Sequence, residues 1–204
     1  MIIEGKVGPQ TNSDGAVVPP RLSRSGDQVV TDARGRYREA VSRGRVYHAC
    51  NTGAQAVSAA LTTTYTGLAV FNPAGSGHNL SILAAGYALS VAPAAIAPIF
   101  LGTSFIAAGQ VTLTTQTAIY SSMVGGGASG GVARACSATT LAVAPVYSVP
   151  LIGGFTAAAL FAAPASFTDI GGIIEVPPGG AAMILALTAV TGFGHISWEE
   201  IPLQ

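Results

Sequence analysis

The fold is decided at the carboxyl-terminal end of the sequence, where residues 169–202 read DIGGIIEVPPGGAAMILALTAVTGFGHISWEEIP. Three segments of this stretch are rich in the β-branched and aromatic residues that favour strands. They are residues 169–176, 181–190 and 195–201, and the turn sequences Pro177-Pro178-Gly179-Gly180 and Thr191-Gly192-Phe193-Gly194 separate them. We predict three strands joined as two consecutive hairpins, which is typical of an antiparallel sandwich or barrel.

Side chains alternate in the last of these segments and in an earlier one. Ile196 and Trp198 are predicted to face one side of the last strand, with Ser197 and Glu199 on the other. Within residues 80–91, Leu, Ala, Tyr, Leu and Val at positions 83, 85, 87, 89 and 91 alternate with small residues. A period of two is the signature of a strand, and the uncharged small face suggests that another layer packs against it.

The rest of the chain adds weaker strand signals. Further strands are predicted near residues 45–50, 65–72, 111–120 and 132–138. Prolines suggest an edge strand or a loop at residues 96–101 and at best a broken strand at 141–154, and residues 155–162 suit a short helix or a strand. About eight strands in total predict an all-β fold, an antiparallel jelly-roll-like β-sandwich.

Charge divides the sequence into two parts. Residues 1–45 hold eight of the nine Lys and Arg and five of the nine Asp and Glu, whereas residues 46–168 hold a single charge, Arg134. Charged residues make up 9% of the whole chain, against about 25% in typical soluble domains. We predict an extended, arginine-rich N-terminal arm over residues 1–45 and an oligomerising β-sandwich body over residues 46–204.

The candidate interaction site is the arginine cluster of the arm. Its members are Arg34, Arg36, Arg38, Arg43 and Arg45. Arginine clusters bind nucleic acid or pair with acidic groups of a protein partner. Because Asp32 and Glu39 dilute the positive charge, we expect a protein partner and no nucleic acid. Gly35 and Gly44 argue against a long helix here.

No catalytic site is predicted. Among residues 46–168 the sequence offers one arginine and two histidines, His48 and His78, and no two histidines in the chain have metal-ligand spacing. The glycine run 125–131 lacks the Lys that a phosphate-binding loop requires. We therefore predict a protein that is not an enzyme and has no catalytic residues, cofactor or metal. Cys50 and Cys136 suit two small buried residues or a disulfide.

Composition also bears on localisation and assembly. The first residues of the chain do not predict a signal peptide, and no segment predicts a transmembrane helix, so we expect no membrane partner. A compact chain with so few charges must cover its surface with Ser, Thr, Gly and Ala. Because charged residues are depleted in interface cores, we expect a homo-oligomer, with a trimer as first choice.

Two stretches resemble segments of tailed-bacteriophage virion proteins. The first is Tyr65-Thr66-Gly67-Leu68-Ala69-Val70-Phe71-Asn72-Pro73-Ala74-Gly75-Ser76-Gly77-His78-Asn79-Leu80. The second is Ile174-Glu175-Val176-Pro177-Pro178-Gly179-Gly180, followed by Ser197-Trp198-Glu199-Glu200-Ile201-Pro202. The resemblance covers roughly residues 45–204 and consists of turn and strand signatures, which are of moderate specificity. Residues 1–44 lie outside it.

This resemblance implies a function. Similar proteins are jelly-roll modules that decorate or cement capsids, often as trimers. The implied protein is a virion component, assembled in the host cytoplasm, that stabilises the head shell by binding the major capsid protein or other virion proteins. Alternatives are a phage tail, baseplate or head-fibre component, or a carbohydrate-binding β-sandwich, for which the sequence shows no evident cleft of aromatics or paired acids.

Overall fold

The computed structural model of the chain describes residues 36–110, 112–125, 131–152 and 166–203. One short helix, α1 (Arg38–Ser42), precedes twelve strands in these ranges. The strands are β1 (Val46–Cys50), β2 (Gln55–Val57), β3 (Thr64–Phe71), β4 (His78–Leu89), β5 (Ile99–Phe105), β6 (Thr112–Thr117), β7 (Ile119–Ser121), β8 (Arg134–Thr140), β9 (Val146–Ile152), β10 (Ser166–Val176), β11 (Gly180–Ala186) and β12 (Val190–Pro202). The prediction of an all-β chain is confirmed, but about eight strands was too low a count.

The strands form two antiparallel sheets that pack face to face. The first sheet has the order β10-β4-β12-β1-β7, with β2 pairing one end of β12, and the second sheet has the order β6-β8-β3-β11-β5-β9. Among the described strands, no two that are consecutive in the chain pair with each other. The predicted antiparallel β-sandwich is therefore confirmed, and its connections cross between the sheets or skip over neighbouring strands.

The two hairpins predicted at the carboxyl-terminal end do not form. Strands β10 and β12 flank β4 in the first sheet, whereas β11 lies between β3 and β5 in the second sheet. The reason lies in β11, where every residue is buried. Both faces of this strand must therefore be covered by other parts of the protein, as they are when a strand lies in the interior of a sheet. The tight turn at Pro177–Gly180 forms with Gly179 at φ 90°, but it carries the chain from one sheet to the other.

The main core fills the space between the sheets. Trp198 of β12 is fully buried and stacks on Tyr47 of β1, with ring centroids 6.4 Å apart. Burial along β12 follows the predicted alternation, since Ile196 and Trp198 are buried while Ser197 and Glu199 are partly exposed. Burying one such aromatic side chain stabilises the fold by about 1.5–3 kcal/mol.

Strand β4 changes face where the sequence alternation does not show it. The predicted core face is right for Ala85 and Tyr87 and wrong for Leu83, because Leu80 and Ile82 contribute to the core in its place. The pairing of β4 with β12 shifts register at this point. One extra residue in a strand sends the side chains beyond it to the opposite face.

Three weaker predictions for the middle of the chain have different outcomes. For residues 96–101 the prediction was an edge strand or a loop: residues 96–98 form a loop, whereas β5 begins at Ile99, directly after Pro98, and is an interior strand between β11 and β9. The broken strand predicted around Pro150 is the edge strand β9, which shifts register against β5. An edge position tolerates the missing N–H of proline. The prediction for residues 155–162 lies outside the described residues.

A second apolar cluster covers the outer side of the second sheet. Ala181, Met183 and Leu185 alternate along β11 with residues of the main core and belong to this cluster. Phe100 and Tyr147 pack against it, with ring centroids 4.5 Å apart. The second sheet is thus buried on both faces around β11. No helix in the described ranges is both long and apolar enough to cross a membrane.

Candidate functional site

The structure describes four of the five arginines predicted to dock on a partner. Arg34 lies outside the described residues, and Arg36, Arg38 and Arg43 are exposed. The Arg36 guanidinium lies 5.4 Å from the centre of the Tyr37 ring, a distance at which a cation and an aromatic face attract each other. By contact the chain divides into two units, Met1–Glu39 and Ala40–Gln204, so the described arginines belong to both.

The helix α1 is short, as the glycines of this segment predicted, and Gly44 caps its end. Gly44 adopts φ 68° and donates a hydrogen bond to the Val41 carbonyl, while the Arg45 amide donates to the Ala40 carbonyl. These two bonds form a Schellman cap, which satisfies the last carbonyls of a helix. The Arg45 guanidinium then lies 4.0 Å from the Glu199 carboxylate on β12. Because both side chains are partly exposed, this pair contributes only about 0–1 kcal/mol.

The histidines reveal a feature that the sequence did not predict. A ring row crosses the outer face of the first sheet, formed by Tyr120 on β7, His48 on β1, His195 on β12 and Phe167 on β10. Successive ring centroids are 6.0, 6.1 and 5.8 Å apart. Each ring comes from a different strand, so the row exists only because the strand registers bring the four positions into line.

Strand β4 makes room for this row. Gly86 lies between Phe167 and His195 in the registers of β10 and β12, and the two rings approach each other across the strand that carries it. A Cβ atom at Gly86 would lie 2.6 Å from the Ser166 carbonyl oxygen and 3.5 Å from the Phe167 ring. The small face predicted for β4 is therefore covered by side chains that lean over from both neighbouring strands.

The ring row consists of two exposed aromatic rings at its ends and two imidazole rings at its centre. Phe167 is 69% exposed and Tyr120 is 46% exposed, which are high values for large rings. The His195 Nδ1 atom is buried and has no hydrogen-bond partner. Burial, and then the nearby His48, lower the pKa of His195. The other imidazole is fixed by a 3.3 Å hydrogen bond between His48 Nδ1 and the Ser122 hydroxyl.

A buried carboxylate holds the start of β8 in place. Glu200 is 5% exposed and accepts hydrogen bonds from the Val132 and Ala133 amides at 2.9 and 3.1 Å and from the Trp198 indole at 3.4 Å. Bonds to backbone amides satisfy a buried carboxylate. The burial of Glu200 follows from the alternation of side chains along β12, because residue 200 lies on the same face of the strand as Trp198. This signal was available in the sequence.

The two cysteines are free and lie in different environments. Cys136 on β8 is buried and Cys50 on β1 is exposed, so the expectation of burial is right for one of them and no disulfide joins them. Burial raises the pKa of Cys136 to about 12 and also raises the pKa of Cys50. A thiol with a raised pKa is a poor nucleophile at neutral pH.

A groove opens at the edge of the sandwich between β9 and β10. Its volume is about 460 Å³, and its walls include Phe105, Val146 and Ile173, which are 54%, 58% and 80% exposed. Glu175 is the titratable residue in its lining. An open groove with such walls offers apolar surface for packing and little chemistry for catalysis.

Two findings complete the description of the site. No three His, Cys, Asp or Glu side chains converge to hold a metal ion in the part of the chain that the structure describes. A comparison of the chain with protein-family models, with curated proteins and with solved structures finds no match.

Proposed function

We propose that this chain is a virion structural protein of the capsid decoration or cement type. In this proposal a jelly-roll body, residues 46–204, assembles as a homotrimer, and the arm, residues 1–45, docks on the phage head shell. The major capsid protein or another virion protein is the partner. The observation that carries the proposal is a β-sandwich with apolar rings and aliphatic side chains on its outer surface and almost no charge along most of its length.

The strand order supports a jelly roll. A jelly roll has eight strands in two sheets, whose orders in chain numbering are 1-8-3-6 and 2-7-4-5. Strands β1, β3, β4, β5, β9, β10, β11 and β12 follow these orders as β1-β12-β4-β10 and β3-β11-β5-β9. The other four strands are additions: β2 pairs the end of β12, β7 extends the first sheet, and β6 and β8 extend the second sheet.

The surface supports assembly. Phe105, Val146, Phe167 and Ile173 are all more than half exposed, and monomeric soluble proteins rarely leave large contiguous apolar patches open to water. Residues 46–168 contribute only Arg134 as a charge. Most of the body surface therefore neither repels a second copy electrostatically nor holds water as strongly as charged groups do. Interfaces of homo-oligomers have this character.

Binding to head shells tests this function. The full chain is mixed with shells assembled from the major capsid protein of the same phage and sedimented, and the pellet is viewed by electron microscopy. We expect saturable binding of the wild-type chain. Reversing three arginines together (Arg36→Glu, Arg38→Glu and Arg43→Glu) should remove binding, whereas the control Arg134→Glu should keep it. Shells that bind neither the wild-type chain nor the control would contradict the proposal.

The ring row favours a second candidate, a carbohydrate-binding module. Exposed aromatic rings in line are the feature that a glycan-binding surface requires, and Phe167 and Tyr120 provide two of them. Binding on a glycan array that is lost in Phe167→Ala and kept in Phe105→Ala would favour this reading over a capsid role. Binding to isolated tails instead of heads would favour a tail, baseplate or head-fibre component.

A further inference from the structure

The two histidines at the centre of the ring row have unused metal-binding capacity. His48 Nδ1 is bonded to Ser122, and within the described ranges its Nε2 atom has no hydrogen-bond partner. His195 Nδ1 is buried without a partner. An unpartnered buried polar atom is destabilising, so a ligand that uses it would be favoured.

The separation of the two rings suits chelation. A metal ion bound at 2.0–2.1 Å from an imidazole nitrogen lies about 3.2 Å from the centre of the ring. Two ligating imidazoles therefore have centroids about 5 Å apart at a tetrahedral N–metal–N angle and about 6.4 Å apart when the two nitrogens lie on opposite sides of the ion. The His48 and His195 centroids are 6.1 Å apart with a 30° angle between the planes. This separation lies between the two values and is closer to the opposite arrangement.

The backbone under both histidines is rigid. His48 lies in β1 between β12 and β7, and His195 lies in β12 between β4 and β1. Asn51 and Gly194 exchange two hydrogen bonds next to the pair, with the Asn51 side-chain oxygen 3.0 Å from the Gly194 amide. Ligands on paired strands are held more precisely than ligands on loops.

The neighbouring side chains also suit a metal ligand. In the tautomer whose Nε2 can bind a metal, the His48 Nδ1–H donates to the Ser122 hydroxyl, and this bond is the outer contact that orients a ligating imidazole. Tyr120 and Phe167 confine the two rings from either side.

We propose that His48 and His195 chelate a divalent transition-metal ion that imidazole prefers, namely Zn²⁺, Ni²⁺ or Cu²⁺, on the outer face of the first sheet. Since no third His, Cys, Asp or Glu converges on the pair within the described ranges, water completes the coordination. Cys50 lies opposite His195 in register, but its thiol bonds to the Asn51 carbonyl at 3.6 Å.

Calorimetric titration of the untagged full chain with NiCl₂ and with ZnCl₂ tests the proposal. We expect one ion per chain. His48→Ala and His195→Ala should each weaken binding at least about tenfold, since loss of a partner that only orients a ligand already has this effect, while His78→Ala, which removes the histidine outside the pair, should leave it unchanged. Thermal unfolding in EDTA shows that each variant is folded. Equal affinity in all three variants would overturn the proposal.

A spectroscopic readout distinguishes the imidazole pair from a thiol site. In Cys50→Ser, which removes the exposed thiol, the electron paramagnetic resonance spectrum of bound Cu²⁺ should show hyperfine coupling to two imidazole nitrogens. His195→Ala in the same background should reduce this to one. Loss of binding in Cys50→Ser with binding kept in the histidine variants, or a spectrum without coupling to two nitrogens, would overturn the proposal. These results are independent of binding to head shells.

Discussion

The outer sides of the two sheets differ. Around β11 the second sheet is covered by an apolar cluster that includes Met183, with no measurable exposure, and Leu185, which is 1% exposed. On the first sheet the corresponding side carries the ring row, in which Phe167 is 69% exposed. Among the described residues the first sheet therefore has a face that is largely uncovered, and the second sheet is enclosed around its central strand. Assembly should use the open face.

The largest expected effect concerns the core that both sheets share. Trp198→Ala should lower the free energy of unfolding by about 3–5 kcal/mol, because truncating a buried aromatic residue leaves a cavity as well as losing burial. Urea denaturation followed by far-ultraviolet circular dichroism measures it. A loss below about 1 kcal/mol would mean that the two sheets are not packed around this residue.

The next largest effect distinguishes the outer sides of the two sheets. Met183→Ala should cost about 2–5 kcal/mol, as in a core, and Phe167→Ala should change stability by no more than about 0.5 kcal/mol, as at a surface. Both truncate a large apolar side chain on the outer side of a sheet, so each is the control for the other. Similar costs for the two variants, measured at the same low protein concentration, would remove the distinction between the faces.

A smaller effect is expected at Glu199 and Glu200, two consecutive residues of β12. Glu200→Gln should cost about 1–3 kcal/mol, because an amide nitrogen would face a backbone N–H that the carboxylate now satisfies. Glu199→Gln, which removes the charge next to Arg45, should cost no more than about 1 kcal/mol. Chemical denaturation at pH 7 compares the two. A larger cost for Glu199→Gln would contradict the assignment of Glu200 to the interior.

The smallest effect concerns protons on the ring row. Because the pKa of His195 is lower in the folded chain than its ordinary value of 6.5, the unfolded chain binds more protons as the pH falls below 6.5, and stability should decrease. His195→Gln should flatten this part of the pH profile, while His78→Gln should preserve it. Denaturation midpoints between pH 8 and pH 5, in EDTA, measure the slope. A profile unchanged by His195→Gln would contradict the prediction.

The sequence predicted local structure better than long-range pairing. Alternation in residues 196–199 predicted the correct faces of β12, and the glycines at 35 and 44 correctly predicted that this segment forms no long helix. The assignment of strands to sheets was wrong at β11, because a short apolar run does not reveal whether its neighbours in the chain or distant strands cover it. The bulge in β4 was likewise invisible, since it depends on the pairing with β12.

The same limit applies to the candidate site. The arginine cluster could be recognised because its members are close in sequence, and its role as a docking site stays a prediction. The ring row could not be recognised, because His48 and His195 meet only when β1 and β12 pair in the observed register. Single histidines in separate strands give no spacing signal. Glu200 was the exception, because it shares a face of β12 with Trp198 and the alternation along the strand already indicated an inward side chain.

The central claim, that the open face of the first sheet serves assembly, is tested most directly by native mass. Light scattering after size exclusion should give three times the 20.3 kDa chain mass for the wild-type protein without detergent. Phe167→Asp should dissociate this species, because a charge in an interface core is unfavourable, and Val124→Asp, at a fully exposed position that is not part of the ring row, should leave it intact. A wild-type protein with the mass of a single chain, or a trimer that persists in Phe167→Asp, would contradict the account.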